Sequence, residues 1–98
     1  MASYTARMMD AVTGGEGRYD FEGPDELLAR TPVRVVRAFM EHVDRDLFPR
    51  VHIDYELNAA YNDRTRRVVT AMGTLIHDDD PPTPFLVMIG PKEPPNGG

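Results

Sequence analysis

The stretch VHIDYELNAA, residues 51–60, alternates apolar and polar side chains, and its reading decides the fold. Val51, Ile53, Tyr55, Leu57 and Ala59 take one face; His52, Asp54, Glu56 and Asn58 take the other. A period of two with one apolar face predicts a half-buried antiparallel strand. Asn62, Asp63 and Arg64 then supply turn chemistry, and residues 66–76 read as the returning strand. The register that keeps one face apolar sets Ile53 opposite Met72, Tyr55 opposite Thr70 and Leu57 opposite Val68. On the polar side it sets Asn58 against Arg67, Glu56 against Val69, Asp54 against Ala71 and His52 against Gly73. A slip of one residue would place Leu57 beside an arginine.

Working outward, Thr31 and Pro32 form an N-cap and a first-turn proline. Val33, Val36, Met40, Val43 and Leu47 follow at helical steps, with Val35 and Phe39 widening the stripe. Pro49 stops this helix, which is expected to end near Asp46. Upstream, Asp25 to Ala29 suggests one helical turn. Before it, Tyr4, Ala6, Met8 and Val12 alternate with Thr5, Arg7, Met9 and Ala11. Gly14, Gly15 and Gly17 form a turn, and 18–21 is a short return strand. Residues 85–89, apolar on both faces, read as a strand that is central or covered.

The predicted architecture is α+β: an antiparallel sheet of four to five strands with one main helix packed on one face. Residues 1–90 form the expected single domain. Residues 91–98, with three prolines and two glycines, are expected to be a mobile tail.

Composition narrows the function. The chain has 98 residues, 11 Lys+Arg against 16 Asp+Glu, a net charge of -5 and no cysteine. Thiol nucleophiles, zinc fingers and cysteine-held clusters are therefore excluded. The acidic balance argues against nucleic acid as a partner, although Arg64, Arg66 and Arg67 cluster beside Tyr61. No apolar run reaches the length of a membrane span. The start shows no secretory pattern, so a cytoplasmic protein is the expectation. No cofactor motif is present, and Ser3 is the only serine.

Two constellations can be read as chemistry. His52, Asp54 and Glu56 share a strand face at steps of about 6.8 Å, which suits a metal or acid–base site. Their expected neighbours, Ala71 and Gly73, donate nothing, so a solvated strand face is the plainer reading. His77 and Asp78, followed by Asp79 and Asp80, form an acidic loop in which a His–Asp pair could act as a base. A charged rim loop is again the plainer reading. Arg34 and Arg37 on the helix, with Tyr55, are the candidates for holding a small anionic organic ligand.

The thin core expected at this length leads first to a non-enzymatic assembly or regulatory domain, acting as a homodimer or as a subunit with a protein partner. The alternative is a small enzyme or binding module for an anionic ligand at a dimer interface or on the open sheet face. That face reads first as ordinary surface, then as a sheet-on-sheet contact, then as a shallow groove.

Overall fold

A computed structural model describes residues 1–10, 15–47, 53–76 and 80–92. Five strands form one antiparallel sheet: β1 (Ala2–Asp10), β2 (Gly15–Gly23), β3 (Asp54–Asp63), β4 (Val68–Ile76) and β5 (Thr83–Pro91). Their order is β2-β1-β5-β4-β3. One helix, α1 (Pro32–His42), lies on one face and passes into a wider π-type turn, Val43–Leu47. The expected α+β class, with its antiparallel sheet and single covering helix, is the fold observed. As its composition required, β5 is central, paired with β1 on one side and β4 on the other. Pro91 belongs to that strand, and the Lys92 amide donates to the Ser3 carbonyl at 3.1 Å.

The core lies between α1 and the sheet. Val35, Val36, Phe39, Met40 and Val43 are buried on the helix side. Val33, expected in the stripe, is 49% exposed, because the buried arc is centred on Val36 and Phe39. From the sheet come Tyr4, Ala6 and Met8, then Phe21, then Val69, Ala71 and Leu75, then Phe85, Val87 and Ile89. Phe39 stands at its aromatic centre, with ring centroids 5.5 Å from Phe21 and 6.0 Å from Tyr19. Such tilted pairs add to the burial energy of the rings. His42 stacks on Phe21 at 5.9 Å and bonds Asp46 at 2.9 Å. The Tyr4 hydroxyl donates to the Pro24 carbonyl at 2.6 Å and accepts the Leu27 amide at 3.2 Å. This fixes a short 3-10 turn, Leu27–Ala29, at the entry to α1.

The β3–β4 register differs from the expected one. Tyr55 pairs with Leu75 and Leu57 with Gly73, after which a bulge at Asn58 resets the pairing to Ala59 with Met72. The hairpin closes on Asp63 and Val68, so the turn is 64–67. Arg67 takes a left-handed backbone there (φ 56), and the Asp63 carboxylate accepts the Arg66 amide at 3.1 Å. Two consequences follow. Ala59 moves to the exposed face, because the extra residue reverses the alternation of β3. Met72, Thr70 and Val68 face away from the helix, and Val69, Ala71 and Gly73 lie beneath it.

Gly73 sits opposite the bulge. A Cβ placed there would collide with the Glu56 carbonyl oxygen and press on the Phe85 ring at 2.9 Å. Backbone cannot give way as a flexible side chain can. Gly73→Ala is therefore expected to destabilise the fold by about 3 kcal/mol, the upper part of the overpacking range. Chemical denaturation checks this: an unchanged midpoint would show that the bulge does not hold Glu56 against Gly73.

Candidate functional site: the open face of the sheet

The helix lies on one side, and among the described residues no element covers the other face of the sheet. That face is built from the odd positions of β1, the even positions of β2, β4 and β5, and both termini of β3. Pairing across the strands puts Met9 beside Leu86, Leu86 beside Met72 and Met72 beside Ala59. The next rung adds Met88, Thr70 and Tyr61. Met9 is 52% exposed, Met72 55%, Met88 45% and Tyr61 67%. Apolar side chains thus run in a continuous band across four strands, and among the described residues no element lies over them. Contiguous exposed apolar surface of this kind marks interaction sites more often than isolated residues do.

Beside this band, toward β2, lies a groove of about 350 Å³. Arg7, Arg18 and Arg66, with Thr5, form its polar wall, and Val68, Met88, Gly90 and Pro91 its apolar floor. Arg7 and Arg18 are directly opposed across β1 and β2. Like charges in that position repel. Arg18 reaches Asp20 only at 3.9 Å, and Arg66 is held by Asp63 at 2.8 Å. Among the described residues no carboxylate pairs with Arg7. Asp20 is shared further, with Lys92 at 3.7 Å and with the Thr5 hydroxyl, which donates to it at 2.8 Å. That hydroxyl, more than the cations, holds the Asp20 carboxyl below its ordinary value of 3.8.

The residues singled out by sequence are arranged differently. His52, His77, Asp78 and Asp79 lie outside the described residues. Asp54 and Glu56 are exposed on β3, on the open face as expected. Their cross-strand neighbours are Ile76 and Thr74, not Ala71 and Gly73, because the register is displaced. Among the described residues no group of three metal-ligating side chains comes together. Arg34 and Arg37 are exposed on α1, in the layer across the sheet from the groove, and Tyr55 is half-buried on the helix side. None of these three reaches the open face. The arginines that do converge are Arg7 and Arg18, with Arg66 from the turn. Alternation in β1 already separates Arg7 from Tyr4, Ala6 and Met8. Its meeting with Arg66 depends on long-range pairing through β5, which no local pattern carries.

No helix among the described residues is long and apolar enough to cross a membrane. No protein-family model, curated protein or solved structure matches the chain.

The Asp20 contact gives a pH test. A depressed carboxyl contributes stability that is present above its unfolded value and is lost as pH falls through its lower folded value. Thr5→Val removes the principal hydrogen bond. The Asp20 titration midpoint, followed by carboxyl-carbon NMR, is expected below 3.8 in the parent chain and to rise in the variant. An unmoved midpoint would assign the depression to Arg18 and Lys92 instead.

Proposed function

We propose that the protein is a non-enzymatic assembly domain that works as a homodimer, two copies meeting through the open faces of their sheets. The observation that carries this reading is the band of exposed Met9, Met72, Met88 and Tyr61 around half-buried Leu86. A two-fold axis lying in the plane of the face, near Met72 and Leu86, sets the band of one copy against the same band of the other. Such an interface is isologous and closes at two copies. Sheets packed this way stand about 10 Å apart with interdigitated side chains.

Methionine suits the contact, since its unbranched, polarisable side chain fills irregular gaps between two identical surfaces. Each copy would also gain apolar cover that its own short helix does not provide.

Met72→Glu places a charge at the centre of the proposed contact and leaves the helix-side core untouched. An unpaired charge buried there costs roughly 3 kcal/mol or more, so the dimer is expected to weaken at least 100-fold. Val33→Glu, on the exposed side of α1, is the matched control and should leave assembly unchanged. Analytical ultracentrifugation from about 1 to 200 μM reads both variants. A parent chain that sediments as a monomer throughout, or a Met72→Glu chain as dimeric as the parent, would overturn the proposal.

A further inference from the structure

The arginine groove has a chemistry that the apolar band does not share. The whole chain carries a net charge of -5, yet the groove gathers Arg7, Arg18 and Arg66, whose carboxylate partners among the described residues are Asp20 and Asp63. Asp63 is committed to the turn through both the amide and the guanidinium of Arg66. Asp20 divides its two oxygens among Thr5, Arg18 and Lys92. Arg7 stands directly across from Arg18 with no carboxylate partner among the described residues. A pair of opposed guanidinium groups is a repulsive arrangement alone and an attractive one when an anion lies between them.

We infer that this groove is a binding site for a small organic anion, with a carboxylate or phosphate head and an apolar body. The head meets the Arg7 and Arg18 guanidinium groups, with Arg66 closing the far wall. Guanidinium forks match the oxygens of either head in a bidentate manner. The body lies over Val68 and Met88, on the way to the methionine band. The volume of about 350 Å³ falls at the small end of ligand sites and fits a compact ligand. Gly90 keeps the floor open. A Cβ there would meet only the Arg67 carbonyl oxygen and the Val68 side chain, each at 3.6 Å, so the backbone tolerates a side chain. A larger side chain at 90 would instead occupy the groove.

This site does not require the second copy. Gly90 is four residues along β5 from Leu86, about 13 Å away, so the groove opens at the rim of the proposed contact.

Three probes separate the parts of the inference: inorganic phosphate offers a head alone, octan-1-ol a body alone, and octanoate both. Binding is read from NMR shifts of the Gly90 amide and the Met88 methyl. Octanoate is expected to saturate, with affinity at least tenfold above that of either partial probe. Arg7→Gln with Arg18→Gln should weaken octanoate at least tenfold. Gly90→Leu should abolish it while retaining every charge. Octanoate and octan-1-ol binding equally, or octanoate binding unchanged in the double arginine variant, would overturn the inference. Sedimentation of that double variant is expected to match the parent, so failure here and failure of the assembly reading are told apart.

Discussion

One helix of eleven residues must serve a sheet of five strands, and it can cover only one side of it. At 1.5 Å per residue α1 is about 16 Å long. That is enough to lie over the central strands and seal Val87, Ile89, Val69 and Ala71 from water. The small side chains of β4 on that side, Ala71 and Gly73, let the helix approach closely and leave volume for Phe39 and Phe85. Bulk displaced from beneath the helix is found on the other face, as Met72 and Met88. The composition of the open face is thus tied to the packing of the closed one.

The aromatic side chains show how the closed face reaches the edge of the sheet. Tyr4, Phe21, Phe39 and Tyr19 form a chain of ring contacts from β1 to β2 and up to α1. His42 extends it, and its bond to Asp46 secures the π-type turn that ends the helix. Tyr4 also anchors the chain leading into α1. The β1–β2 hairpin, far from the helix axis in strand order, is therefore held by rings rather than by aliphatic packing. The same hairpin carries Arg7 and Arg18 on its reverse side, so the aromatic cluster holds the strands that bear the polar wall of the groove.

How much of this was legible in the sequence depends on whether a strand is apolar on one face or two. β1 alternates cleanly, and its buried positions Tyr4, Ala6 and Met8 follow from the pattern alone. The helix start at Pro32 and the central place of β5 are equally plain. In β4 both parities are apolar: Val69, Ala71 and Leu75 on one side, Val68, Met72 and Ile76 on the other. Alternation then carries no sign, and choosing the larger side chains for the core selects the wrong face. The bulge at Asn58 compounds this, because strict period-two reading of β3 fails after Leu57. Gly73 was the available signal, since glycine inside a strand marks a bulge or a close backbone approach. The groove was not legible for a different reason. Its residues come from β1, β2, β4, β5 and the 64–67 turn, and the β1–β2, β1–β5 and β4–β5 ladders together bring them into one place.

The edges of the sheet bear on what kind of partner the open face suits. β3, one edge, carries Asp54, Glu56 and Asp63 and is interrupted by its bulge. β2, the other, presents Arg18, Asp20 and Glu22. Charges and bulges on edge strands discourage the addition of a further strand by backbone pairing. The exposed apolar surface lies instead in the middle of the sheet, on side chains that point straight out from it. A partner recognised there must read side chains, and it must present a surface rather than an extended segment. In the proposed dimer a second copy would meet that requirement with the same methionines, and the charged edges would keep association from running on into open-ended strand pairing.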